Sequence, residues 1–289
     1  MSLPQMSFDR EQAWWDAKAS KEETDLADER INRLLRWREV EKHLDGMKTI
    51  LDAGAATGAF SLPLAQRGFT VTHLDFSPAM LELARQKAAT LHLEEIRFVQ
   101  GNAVDLSAFP DQSFDLVLNM DGAISFCGSQ AWQALRESCR VCRKTVIVSV
   151  SHRAQMSGVW LNSSLQVLGR LGQAAERMLK HGEWHQDQYA ENARLTAGLT
   201  QNYMGALKAF LPCELRQALE AEGLRVLRCG GLGSLTNFVG GETLSKIMAD
   251  EQMLQLFLDY CDYYDRVVLP DGPGTRQRAG LIAVGVRTK

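Results

Sequence analysis

No apolar run in this sequence approaches the roughly 18 residues that a membrane-crossing helix needs, so no helical span is expected. No block of lysines or arginines stands out either. With a formal net charge of −3 and a pI of about 6.1, the chain offers nucleic acid or an anionic membrane surface little attraction. Neither is expected as a partner. The six cysteines, at 127, 139, 142, 213, 229 and 261, are too scattered to staple a chain of 289 residues. Cys139 and Cys142 form a lone CxxC with no second pair beside it, and read as two thiols on a helix end. The opening residues, with Asp9, Arg10, Glu11 and two tryptophans, lack the apolar core of a signal peptide. A reduced cytoplasm is the expected compartment. Internal repeats and low-complexity segments are missing too. What remains is ordinary globular composition, 45% hydrophobic and 23% charged, in one large domain or one domain with an inserted lobe.

The order of local signals supplies the fold class. Residues 8–44 are charged and helix-prone, with Ile31, Leu34 and Leu35 on an apolar face. Arg38 falls on that stripe, where it can bind a carboxylate or snorkel to solvent. Strands and helices then alternate. Strands are predicted at 48–52, 70–74, 96–100, 114–118 and 145–150, with helices at 58–66, 130–141 and from Ser77-Pro78 onward. The rhythm breaks at 151. Residues 151–201 read as helix, rich in Trp, His and Tyr. Helix at 212–222, strand at 224–228, helix at 242–264 and strand at 280–287 complete the chain. Such alternation predicts an α/β, doubly wound, parallel sheet with helices on both faces. The expected parts are an N-terminal helical cover (1–45), a nucleotide-binding core (46–150), a helical lid insert (151–205) and a C-terminal completion of the core sheet (206–289).

Residues 49–60 read Thr-Ile-Leu-Asp-Ala-Gly-Ala-Ala-Thr-Gly-Ala-Phe. An apolar run ends in Asp52, a small-residue turn through Gly54, Ala56 and Gly58 follows, and a helix begins. Such a turn lets a ligand approach the backbone and aims helix N–H groups at it. An acid closing an apolar run is a poor structural choice, so Asp52 reads as a ligand contact for a cationic or hydroxylated group. Gly54-x-Ala56-x-x-Ala59 also fits a degraded dinucleotide fingerprint, which leaves an NAD-dependent oxidoreductase open.

Four strand ends together resemble the class I, Rossmann-like S-adenosylmethionine-dependent methyltransferases. The resemblance covers about residues 48–150 and rests on Asp52-x-Gly54-x-Ala56-Thr57-Gly58, Asp75-Phe76-Ser77-Pro78-x-Met80-Leu81, Gly101-Asn102-Ala103 and Ser113-Phe114-Asp115-Leu116-Val117. It implies a sheet of seven strands, mostly parallel with the last antiparallel, and S-adenosyl-L-methionine as cofactor. By the same resemblance, Asp52 attracts the ligand's amino group and Asp75 accepts both ribose hydroxyls. Phe76 and Met80 sandwich the adenine, Asn102 and the Ala103 N–H meet its edge, and Asn119 lies beside the sulfonium. Three departures stand out: Ala56 in place of a glycine, where a methyl group demands negative φ; Asn102 in place of an acid; and Arg143-Lys144 where a Gly-Gly turn is common. Asp115 reads as a structural strand-edge acid.

The substrate is expected outside the carboxyl ends of the strands, near the reversal of strand order. Residues 120–127 fall there. His152, at the end of the fifth predicted strand, is a candidate base, and Tyr189 and Tyr203 of the lid can supply hydroxyls. His181 and His185 stand one helical turn apart, but residue 182 is Gly, so the zinc-protease pattern is not met and no metal is expected. The expected function is methyl transfer to a small-molecule acceptor, as a monomer or homodimer. The rivals are the oxidoreductase and a non-catalytic S-adenosylmethionine-binding protein.

Overall fold

The computed structural model describes residues 8–22, 27–185, 205–269 and 280–287. Tyr189 and Tyr203 lie outside them. Strand β1 (Thr49–Ala53) is flanked by β2 (Thr70–Asp75) and β4 (Phe114–Asn119), both parallel to it. With β3 (Arg97–Gln100), β5 (Cys142–His152), β8 (Leu224–Gly231) and β9 (Leu281–Arg287), they form a core in the order β3-β2-β1-β4-β5-β9-β8. Strand β9 runs antiparallel to both its neighbours. These seven strands and the reversed last one match the expectation, but two further strands extend the sheet to nine. The order turns back between β1 and β4, which places the switch point at the carboxyl end of β1.

Period-two alternation divides the core. Leu51, Val117, Val146 and Val148 point to one face; Ile50, Leu116, Leu118 and Ile147 point to the other. The first face is covered by α6 (Ala131–Val141) and α9 (Pro212–Ala221). The second is covered by α2 (Ala27–Glu41) and α11 (Glu251–Tyr263), through Ile31, Leu35, Phe257 and Leu258. Buried on both faces, these strands read as continuous apolar runs, which is why they were legible.

Several expectations change. The long N-terminal helix is two, α1 (Phe8–Lys18) and α2, and residues 242–264 divide into α10 (Gly241–Met248) and α11, capped by Asp250. Arg38 does not hold a free carboxylate site: it pairs with Asp259 at 2.7 Å and Gln255 at 2.7 Å on α11. The segment expected as all helix contains α7 (Arg153–Leu168) and α8 (Gln173–His181), but also a strand, β6 (Glu183–His185). β6 pairs with β7 (Ala206–Phe210), which continues the sheet from the last two residues of β5. Gly182, at φ 66°, ends α8, so His181 and His185 are not a helical pair. A side chain there would meet the Ala209 carbonyl at 2.1 Å, so glycine lets this turn close on β7.

Candidate active site

Three turns meet at the switch point: residues 54–60 after β1, residues 76–77 between β2 and α4 (Pro78–Thr90), and residues 120–122 before the single-turn helix α5 (Ala123–Phe126). They line one cleft, with the start of α1 and part of α2 along its rim. Of the expected residues, Asp52, Gly54, Ala56, Asp75, Phe76, Met80, Asn102 and Ala103 line it, which brings three separate strand ends to one place.

Asp52 is buried, and its Oδ2 has no hydrogen-bond partner among the described residues. Burial pushes its carboxyl up to about 8, against the lowering effect of the Ser61 N–H; nearby Asp121 and Asp75 push it the same way as burial. A buried acid with an orphaned oxygen is costly unless a ligand completes it.

Asp75 is buried too, but differently employed. Its Oδ2 accepts from the Ala56 N–H at 2.8 Å and its Oδ1 from the Ser77 N–H at 2.9 Å. Burial raises it to about 6, opposed by those two N–H groups. Each oxygen keeps a second lone pair for a hydroxyl donor. The same carboxylate therefore fixes two turns and faces the cleft.

Ala56 corrects the expectation of negative φ. It sits at +47°, in the left-handed region that costs an L-residue about 1–2 kcal/mol. That conformation aims its N–H at Asp75. Ala56→Gly should raise the unfolding free energy by about 0.5–1 kcal/mol, the relief of strain less the extra freedom of an unfolded glycine. Thermal denaturation checks this, and a lowered Tm rejects the strain.

The amides are partly engaged with the backbone. Asn102 Oδ1 accepts from the Val104 N–H at 3.0 Å, closing its own turn. Asn119 does not line the described cleft. It is buried, and its Oδ1 accepts from the Ile124 N–H at 3.0 Å, holding the α5 turn. Gly58, buried at φ +94°, shapes the turn without lining the cleft. His152 also lies off the described lining. It is buried, and its Nδ1 accepts from the Ala154 N–H at 3.0 Å as the cap of α7. Asp115 is the structural acid expected: it accepts from the Lys48 and Thr49 N–H groups and from Arg143, with Lys144 beside it. The departure at Arg143-Lys144 thus serves as its counter-charge.

Sequence reasoning missed Glu11 and Arg33 as individual cleft residues, although it marked the N-terminal helices as a cover. Asp16 on α1 accepts from Ser77 Oγ at 2.5 Å and from the Ala79 N–H at 3.2 Å, at the N-terminus of α4. That contact carries Phe8, Glu11 and Trp15 to the rim. Trp15 then meets Phe126 edge-on at 4.9 Å. Asp121, at φ +53°, was reachable only as part of the loop after β4.

The residues fit S-adenosylmethionine. The orphaned Asp52 oxygen suits an ammonium group. Gly54 keeps the cradle open: a Cβ there would lie 2.4 Å from the Ala123 Cβ.

Comparison with known proteins agrees. Residues 50–145 match the family model described as a methyltransferase domain. A phosphatidylethanolamine N-methyltransferase of Cereibacter sphaeroides is 34% identical over 140 residues, 48% of this chain and 63% of that protein. A demethylmenaquinone methyltransferase of Thermus thermophilus is 39% identical over 122 residues, 38% of this chain and 54% of that one. The chain thus spans less than two thirds of the length of these curated relatives. Magnesium protoporphyrin IX methyltransferase from Synechocystis PCC 6803 shares the fold, with a TM-score of 0.52 at 15% identity over 99% of this chain and 90% of that one. A [4+2]-cyclase shares it too, with a TM-score of 0.51 at 19% identity over 89% of this chain and 80% of that one. Residues 50–145 thus match a methyltransferase domain, and the chain shares its fold with a Rossmann-like methyltransferase. Because a cyclase shares this fold, fold alone does not assign the reaction.

Proposed function

We propose that this protein transfers a methyl group from S-adenosylmethionine to a small-molecule acceptor. The observation that carries the reading is the buried, partnerless Oδ2 of Asp52 at the end of β1. An anionic ligand leaves that acid unsatisfied; the ammonium group of an amino-acid ligand completes it. A dinucleotide brings pyrophosphate to the same turn, next to an acid that repels it.

When bound, the cofactor supplies an activated methyl group on a sulfonium. The chain's own work is to position and to exclude water. In this reading Asp52 takes the ammonium and Asp75 the ribose hydroxyls, while Phe76 and Met80 hold the base. The Ala103 N–H and the Asn102 amide meet the base's edge. Trp15, Phe126 and Met120 supply an apolar wall for the acceptor. His152 is placed to hold α7 rather than to meet the acceptor directly, and Tyr189 and Tyr203 remain candidate hydroxyls outside the described residues.

Calorimetric titration with S-adenosylhomocysteine and NADH, followed by isotope transfer from methyl-labelled cofactor to a metabolite extract, tests the reading. Homocysteine-form binding and label transfer are expected. NADH binding in its place rejects the proposal, and tight binding without transfer assigns a non-catalytic binding protein. Asp75→Ala should weaken S-adenosylhomocysteine by about 1.5–3 kcal/mol, the scale of charged hydrogen bonds. Unchanged affinity removes Asp75 from the ribose.

A further inference from the structure

Helix α11 carries two apolar stripes, and the fold of one chain uses only the first. Leu254, Phe257, Leu258 and Cys261 are buried in the core of the second face. Met253, Leu256, Tyr260 and Tyr263, with Val267 in the π-helical turn that follows (Tyr264–Val268), are each 47–61% exposed. Phe238 widens this outward stripe: it is 70% exposed, and its ring lies 6.2 Å from that of Tyr264. None of these side chains lines the described cleft.

A single exposed Leu or Tyr is ordinary on a protein surface, but five in register are not. The outward stripe repeats at intervals of 3, 4, 3 and 4 residues. That repeat is the pattern by which one α-helix packs along another at a shallow angle. Its side chains together expose on the order of 800 Å², about what one partner contributes to a standard interface.

Charge selects the occupant. By helical spacing Asp259 and Arg266 border the stripe on the same side. Their ion pairs with Arg38 and Glu39 on α2 hold them at its edge, while their side chains stay 66% and 37% exposed. If two copies pair antiparallel about the Tyr260–Tyr263 step, Leu256 of one copy faces Val267 of the other. Asp259 of each copy then borders Arg266 of the other, so the two-fold axis makes the opposite-charge contact twice. A parallel pair brings Asp259 beside Tyr264 instead and matches no charges. A stripe complementary to itself in both shape and charge is what an isologous interface requires. A lipid surface fits less well. An interfacial helix carries lysine and arginine around its apolar face, whereas α11 has Glu251, Asp259 and Asp262 and neither base.

We propose that a second copy of this chain covers the stripe, in a two-fold dimer whose α11 helices pack antiparallel. The proposal is independent of the methyltransferase reading.

Sedimentation velocity of the full chain at tens of micromolar tests it. Wild type should run at twice the chain mass of 32.2 kDa. The double variant Leu256→Glu, Tyr260→Glu should run as a monomer with an unchanged circular dichroism spectrum, because both side chains are exposed. A second pair of variants tests the orientation. Asp259→Arg and Arg266→Asp each set like charges against each other twice, so each should self-associate about tenfold or more weakly. Mixed together, they restore both opposite-charge contacts, and the mixture should regain the dimer mass. A monomeric wild type overturns the proposal, and so does a dimer that survives the double variant. A mixture no heavier than its components overturns the antiparallel arrangement and the proposal with it. Flotation of a monomeric wild type with phosphatidylcholine vesicles, lost in the double variant, gives the stripe to a membrane surface and overturns it as well.

Discussion

Asp52→Asn should make the protein more stable and its cofactor site weaker. The two effects share one cause. Asp52 ordinarily ionises near 3.8 and is pushed up to about 8 by burial, with Asp121 and Asp75 adding to it. The folded state therefore holds a proton that the unfolded chain releases between these two values. Stability from this group is fully present below about pH 3.8 and declines as pH rises toward about 8. Each pKa step of one is worth about 1.4 kcal/mol, so the opposition at pH 8 amounts to several kcal/mol. Asparagine keeps the shape and cannot ionise. We expect Asp52→Asn to gain about 2–4 kcal/mol of unfolding free energy at pH 8 and almost nothing near pH 4. Urea denaturation at the two pH values measures this, and equal stability at pH 8 refutes it. Binding should move the other way. Wild-type affinity for S-adenosylhomocysteine should rise from pH 6 to pH 8 as Asp52 ionises, and the variant should be at least about tenfold weaker with a flatter profile. A site that opposes folding and favours a ligand is a trade of stability for function.

The same imbalance made this acid legible in the sequence. An acid at the end of an apolar run is hard to explain by folding, and so is its neighbour Asp75 one strand over. The core strands were legible because burial on both faces leaves continuous apolar runs. β6 was not: three residues are too few for a pattern, and its partner β7 lies beyond residues 186–204. Arg33 and Glu11 were hidden for another reason. A helix in the sequence shows that it has a face, but which neighbour that face meets depends on Asp16 reaching Ser77 and Arg36 reaching Asp121. Nor does composition reveal backbone sign. Ala56 adopts +47° because Asp75 and the turn hold its N–H there, a tertiary constraint that overrides the residue's own preference.

Gly54→Ala should damage both the fold and the cleft, and its partner can be named. At φ +76° an alanine costs about 1–2 kcal/mol from conformation alone. Its Cβ would also lie 2.4 Å from the Ala123 Cβ, and overpacking of this kind costs about 1–3 kcal/mol. The sum, about 2–5 kcal/mol, falls where the turn after β1 meets the α5 turn after β4. Forcing them apart widens the cleft at the switch point, so S-adenosylhomocysteine binding should fall by more than tenfold. The two contributions can be separated. Gly46 has a similar φ of +68° with nothing within 4 Å of its Cβ position, so Gly46→Ala reports the conformational part alone, far from the cleft. Ala123→Gly removes the opposing methyl. The double variant Gly54→Ala, Ala123→Gly should therefore bind better than Gly54→Ala, while still carrying the conformational loss. A double-mutant cycle on both stability and affinity measures the coupling. Additive losses would show that the two turns do not touch, and the cleft would then owe its shape to something other than this contact.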